Sequence, residues 1–269
     1  MRIEWLDIAK AMGFAYARFS PAFTLKKMDN SAIWNNQHIK FVLIAAPRTG
    51  SNLLVSMLNS HPEILCHYEL FHWQKIYAAA GGQGDLSAMW ARNRNPFSFL
   101  EKIYSDGFEK KAVGFKIFPN HNPLILSYLI HQPKIKKIIL RRNNYLKIYT
   151  SHIMAKKNKV YVYRPNSQPV PVYVCATRFK RYVNKNEAFY QTARNKIRAV
   201  NQDFLEIEYQ LIKATQSIKK LLDFIGVDDS CELKAGTKKQ NPGKLSDRII
   251  NYSELCHELR DTEYEKFLT

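Results

Sequence analysis

Acidic side chains are in short supply. The 269 residues carry 23 Asp and Glu against 41 Lys and Arg, a formal net charge of +18. Such a balance says nothing about fold, but it favours polyanionic partners: a multiply charged nucleotide, nucleic acid, an acidic glycan or an anionic membrane surface. Cysteine is equally sparse. Cys66, Cys175, Cys231 and Cys256 lie far apart and form no C-x-x-C pair. That spacing argues against a disulfide framework or a zinc site and suits a reducing compartment. No metal-ligand pattern is evident elsewhere. No stretch approaches 18 continuous apolar residues, so no transmembrane helix is expected. The N-terminus carries Glu4 and Asp7 and lacks a compact apolar run before a cleavage site, so a signal peptide is not expected and the location implied is cytoplasmic. Repeats and low-complexity linkers are also missing.

The length gives ample material for one core, and the organisation expected is a single domain over 1–269. Within it, 1–38 reads as an N-terminal helical extension. Trp5, Ile8, Met12, Ala15 and Phe19 share one helical face, which either packs on the domain or forms a membrane-surface or dimer contact. Short apolar runs at 41–46, 63–68, 112–118, 135–140 and 204–209 read as strands. Helices are expected over 51–60, 144–157, 176–200, 215–225 and 253–267. Tyr161 to Val174 alternates apolar and polar residues around Pro165 and Pro169, so 158–175 suggests a hairpin or extended loop on the substrate side. Strands alternating with helices predict an α/β fold, a three-layer sandwich with a mostly parallel sheet and ligands at the carboxyl ends of its strands.

The most informative stretch runs from Phe41 to Leu58. A buried strand turns sharply at Pro47-Arg48-Thr49-Gly50 and resumes as a helix with Leu53, Leu54, Met57 and Leu58 on one face. Ser51 and Asn52 are helix-capping types at its start. A strand, a tight loop and a helix N-terminus make an anion cradle, because free N–H groups and the helix dipole favour negative charge. Gly50 permits close backbone approach to a phosphate, and Arg48 adds a fork-shaped cation. The loop departs from the ATPase and GTPase pattern G-x-x-x-x-G-K-[ST], since no lysine follows Gly50. Pro-Arg-Thr-Gly-Ser-Asn-Leu-Leu instead resembles the 5′-phosphosulfate loop of sulfotransferases that use 3′-phosphoadenosine 5′-phosphosulfate (PAPS), in the branch of carbohydrate and nodulation-factor enzymes. The resemblance implies a P-loop-like fold. It also implies that Arg48, Thr49, Gly50, Ser51, Asn52 and Leu53 bind the co-substrate.

Two further segments extend the resemblance. Arg141 and Arg142 are delivered by strand 135–140 to one edge of the sheet, and a helix follows. The stretch is similar to the second signature of the family, an Arg and a helical hydroxyl that hold the 3′-phosphate. A spacing of eight selects Arg142 with Thr150; Ser151 fits with one extra residue, and the alternative is a solvated arginine pair. Residues 233–255 look like the family's tail segment, where Lys238, Lys239 and Gln240 are candidates to close over the nucleotide.

Sulfuryl transfer needs cations on the leaving phosphate, an anion cradle and a base for the acceptor proton. The residue that family members with a Lys-Thr-His strand use as base is Phe118 here; the lysine is kept, and Lys116 either assists the leaving group, as the resemblance implies, or is an exposed edge residue. Glu69, in His67-Tyr-Glu-Leu-Phe-His72, resembles the Tyr-Glu segment that carries the base in carbohydrate-type members. A carboxylate at a partly dry strand end is expected to have a raised pKa. A salt bridge is the alternative role for Glu69, and His121 and His72 are the alternative bases. The acceptor implied is a sugar or glycolipid hydroxyl, with aromatic residues of 68–77 and 161–173 available to stack on it. Two other function classes fit parts of the sequence: a nucleotide-dependent kinase and a basic nucleic-acid-binding protein. The loop's missing lysine opposes the first. The second predicts a steep salt dependence without 3′-phosphate preference.

Overall fold

The computed structural model describes residues 38–79, 83–106, 109–161, 170–237 and 243–269. The expected N-terminal helix falls outside them, as do Lys238, Lys239, Gln240 and the middle of the 158–175 segment. In chain order the elements are β1 (Ile39–Ala45), α1 (Ser51–Leu58), β2 (Ile64–His67), β3 (Ile76–Tyr77), β4 (Gln83–Gly84), α2 (Leu86–Arg94), α3 (Pro96–Ser105), β5 (Ala112–Ile117), α4 (Pro123–His131), β6 (Ile135–Arg141), α5 (Tyr145–Asn158), α6 (Ala176–Ala199), β7 (Phe204–Glu208), α7 (Thr215–Ile225) and α8 (Tyr252–Leu259). Short 3₁₀ turns follow at Tyr209–Leu211 and Glu265–Phe267.

Five strands form one sheet in the order β2-β5-β1-β6-β7, every neighbouring pair parallel. All five correspond to runs read as strands in the sequence. Strand β1 is central and wholly apolar after Lys40, as a strand covered on both faces must be. Its alternation sorts the core. Phe41, Leu43 and Ala45 pack with α1 and α7, whereas Val42 and Ile44 pack with α3, α4 and α6. A third cluster joins α5, α6 and α8 through Leu146, Phe179, Val183 and Leu255. Gly114 in β5 faces Phe41 across the ladder, and a Cβ there would stand 2.4 Å from the Phe41 ring.

The final helix expected over 253–267 is broken. α8 ends at Leu259, Asp261 adopts a φ of 57°, and the 3₁₀ turn completes the segment. The described flank of 158–175 docks elsewhere in the chain: Val172 bridges Ile249 in parallel. Among the described residues no helix is long and apolar enough to cross a membrane.

Candidate active site

Three parallel strands bring the predicted residues to one edge. Ala46 follows β1, Lys116 lies near the end of β5, and Arg142 follows β6. Tyr190 of α6 holds two of those ends together: its hydroxyl accepts from Ala46 N–H at 2.9 Å and donates to the Leu140 carbonyl at 2.9 Å.

The loop between β1 and α1 is tightly wound. Arg48 has a φ of 70° and Gly50 a φ of 90°. The Thr49 hydroxyl donates to the Ala46 carbonyl at 2.7 Å and is wholly buried. Ser51 and Asn52 do not cap the helix. Gly50 occupies the cap position, no side chain bonds the first turn, and no acidic residue lies in it. The first N–H groups of α1 therefore have neither a helical partner nor a side-chain cap. Ser51 is buried and Leu53 half-buried. Asn52 turns its amide oxygen to the Lys116 ammonium.

Two guanidiniums converge on this loop. Arg142 donates to the Arg48 carbonyl at 3.3 Å and lies 4.7 Å over the Tyr209 ring. Arg48 donates from Nε to Ser151 Oγ at 3.0 Å and from Nη1 to the Tyr161 carbonyl at 2.6 Å. Burial and the neighbouring Arg142 charge both push the Arg48 pKa down. Arg141 does not join them, contrary to the expectation that both arginines reach one edge. It pairs with Glu187 at 2.8 Å and Glu206 at 3.3 Å, away from the loop. Of the two candidate hydroxyls, Ser151 reaches Arg48. The Thr150 hydroxyl is fully buried and bonds nothing among the described residues.

Glu69 stands beside the loop between two donors. Lys116 Nζ lies 2.9 Å from Oε1 and His121 Nε2 lies 3.3 Å from Oε2. The His121 Nδ1 accepts the Phe118 N–H at 3.3 Å, so its proton sits on Nε2, directed at the carboxylate. Burial lowers the His121 pKa, which keeps the ring neutral. The raised pKa expected for Glu69 is reversed. Burial pushes it up, but the His121 hydrogen bond and the Lys116 charge outweigh burial and hold it down at about 2. Lys116 is 1% exposed and is no edge residue; burial lowers its pKa against the pull of Glu69. Glu69 thus makes the salt bridge expected as its alternative role, and His121 and His72 lie within the same cluster.

Tyr209 escaped the sequence reading. Its ring lies where a Cβ on Gly50 would sit, 2.2 Å from the built position, and beneath Arg142. The available signal was its place at the carboxyl end of a predicted parallel strand.

A parallel sheet with an uncapped helix N-terminus after its central strand, two arginines on the loop and a lysine–carboxylate pair beside it defines an α/β enzyme that handles an anionic group. Relatives narrow this class. No protein-family profile matches the chain. Nodulation protein H of Rhizobium meliloti (strain 1021) is 23% identical over 84% of the chain and 94% of its own length. Nodulation protein H of Rhizobium tropici is 26% identical over 84% and 92%. A sulfotransferase structure from Alicyclobacillus acidocaldarius overlaps with a TM-score of 0.44 at 15% identity, covering 85% of this chain and 95% of that one. A mouse sulfotransferase complexed with PAP overlaps with a TM-score of 0.43 at 14% identity, covering 88% and 90%. These overlaps are too loose to bear on the site. The chain-long similarity to the nodulation proteins joins the loop motif in marking the chain as a sulfotransferase enzyme.

Proposed function

We propose that this sulfotransferase takes its sulfuryl group from PAPS and delivers it to a hydroxyl of a carbohydrate or glycolipid acceptor. The observation that carries the reading is the convergence of Arg48 and Arg142 on an uncapped helix N-terminus, with Glu69 beside it. The donor set fits a nucleotide with two separate phosphates. PAPS, when bound, supplies a sulfuryl group whose transfer leaves the electron pair of the broken S–O bond on the 5′-phosphate. The N–H groups of 49–53 and the Arg48 guanidinium hold the 5′ end and neutralise its growing charge. Arg142 and Ser151 hold the 3′-phosphate; Ser151 is preferred to Thr150 because its hydroxyl reaches the arginine pair. The Tyr209 face is available to the adenine.

On the acceptor side Glu69 removes the hydroxyl proton. Lys116 is bonded to both Glu69 and Asn52, which links the proposed base to the loop. It can pass its hydrogen bonding from the carboxylate to the phosphate as charge moves. A low-pKa carboxylate is ionised throughout the physiological range and takes the proton late, as the acceptor oxygen becomes acidic on bonding to sulfur.

Calorimetric titration tests the nucleotide reading. Adenosine 3′,5′-bisphosphate should bind about tenfold or more tightly than 5′-AMP, the worth of one charge-assisted contact. Arg142→Ala should abolish the difference. Equal affinity of the native protein for the two nucleotides would overturn the role given to Arg142.

A further inference from the structure

One face of α6 is turned to the carboxyl ends of β1, β6 and β7, which lie side by side in the sheet. Glu187, Tyr190 and Arg194 recur at i, i+3 and i+7, the spacing of a single helical stripe. Glu187 holds Arg141 at the end of β6 at 2.8 Å, and Arg194 holds Glu206 of β7 at 3.2 Å. Between them in the stripe comes Tyr190, 1% exposed, with the Arg141 guanidinium 5.3 Å over its ring.

The parallel ladder of β1 and β6 runs up to the pair Ala45 and Leu140. One step further, a continued ladder would join the Ala46 N–H to the Leu140 carbonyl. The Tyr190 hydroxyl takes both groups instead, accepting from the first and donating to the second at 2.9 Å each. A phenol oxygen can accept one hydrogen bond while it donates another. Burial raises the Tyr190 pKa, so the proton that it donates stays in place. The ladder therefore ends on a wedge one oxygen atom wide. From that wedge β1 runs into the loop that carries Arg48, and β6 runs into Arg142.

We propose that Tyr190 is a positioning residue for nucleotide recognition. Its hydroxyl, steadied by the Glu187–Arg141 pair, fixes the distance between the β1–α1 cradle and Arg142, so that nucleotides are selected by the spacing of their two phosphates. The proposal rests on the sulfuryl-transfer reading above, in which the loop takes the 5′ end and Arg142 the 3′-phosphate. Tyr190 acts through the backbone and needs no contact with the nucleotide.

The test is calorimetry with adenosine 3′,5′-bisphosphate, its 2′,5′ isomer and 5′-AMP. The two isomers carry the same charge at different spacing. The native protein should bind the 3′,5′ isomer about tenfold more tightly than the 2′,5′ isomer, the worth of one charge-assisted contact. Tyr190→Phe keeps the ring and removes the wedge. It should weaken the 3′,5′ isomer about tenfold, to the level of the 2′,5′ isomer, while 5′-AMP changes by less than about twofold. Glu187→Gln alters a half-exposed side chain and should fold normally; a smaller loss of the same kind is expected, about threefold. Ile197→Val, at a buried position about two turns further along α6, should lower the melting temperature and leave all three affinities unchanged. A native protein that binds both isomers alike while preferring each to 5′-AMP would overturn the proposal. So would a Tyr190→Phe protein that keeps the native isomer preference or weakens all three nucleotides in proportion. Should Tyr190→Phe fail to fold, Glu187→Gln decides, and an unchanged isomer preference there overturns the proposal. A native protein with no preference for the 3′,5′-bisphosphate over 5′-AMP would instead sink the reading of Arg142 on which the proposal rests.

Discussion

Both oxygens of Glu69 are engaged, one by Lys116 and one by His121, and that arrangement determines how the residue titrates. Its folded pKa lies below the usual carboxylate value, so the pair stabilises the fold above that usual value and loses its contribution as pH falls towards about 2. Lys116→Met removes the cation and leaves the burial, so the Glu69 pKa must rise. The acid limb of kcat/KM should then move upward in pH relative to the native enzyme; an unmoved limb would separate Lys116 from the base. Glu69→Gln should cost about 10²–10⁴ in rate and also lower stability, because breaking a buried pair typically costs about 3–5 kcal/mol. Adding Lys116→Met to Glu69→Gln should recover melting temperature and leave the rate collapsed, which separates the two roles of the carboxylate. Arg48→Ala should fold, yet lose about 10²–10³ in turnover, roughly 3–4 kcal/mol; near-native turnover would show that the loop does not hold the reacting group. The positions of Arg48, Lys116, Glu69 and Arg142 were legible from motif and strand order. The sign of the Glu69 shift was not, because it depends on Lys116 and His121, which reach it from β5 and the turn that follows. Nor was the separation of Arg141 from Arg142, which follows from Glu187 and Glu206 on distant elements.

The loop after β1 owes its shape to one glycine and one tyrosine. Gly50 combines a φ of 90° with a Tyr209 ring packed against its α-carbon. Gly50→Ala brings a left-handed cost of roughly 1–2 kcal/mol and a collision with that ring. Chemical denaturation should show the loss of stability, and calorimetry a weakened bisphosphate. Tyr209→Ala combined with Gly50→Ala should be less damaging than the two single effects summed, since they share one contact; strict additivity would show that the ring does not shape the loop. At this scale the strands were easy to read because a strand buried on both faces is a continuous apolar run. The helix caps were harder. Ser51 and Asn52 have the right chemistry for a cap, but Gly50 takes the position, which leaves the first N–H groups open. α4 went unread because its apolar residues surround it on most sides, as a helix pressed between sheet and neighbours requires. The break at Asp261 was hidden because a left-handed residue other than glycine leaves little trace in composition.

Over the whole molecule the sheet order β2-β5-β1-β6-β7 places the phosphate-type loop at the centre and its two supporting strands on either side. Alternation of strands and helices made this architecture legible, and parallel pairing follows from it. What alternation does not reveal is which helix ties the strand ends together; Tyr190 of α6 does so, from far along the chain. Two of the many cationic residues, Arg48 and Arg142, meet at that central loop. The most direct measurement of the central claim is product analysis by mass spectrometry after incubating the protein with PAPS and an oligosaccharide, with ATP in a parallel reaction. The account predicts an oligosaccharide heavier by one sulfuryl group, formed together with adenosine 3′,5′-bisphosphate, and no phosphorylated sugar from ATP. Phosphorylation from ATP with no sulfation from PAPS would contradict it.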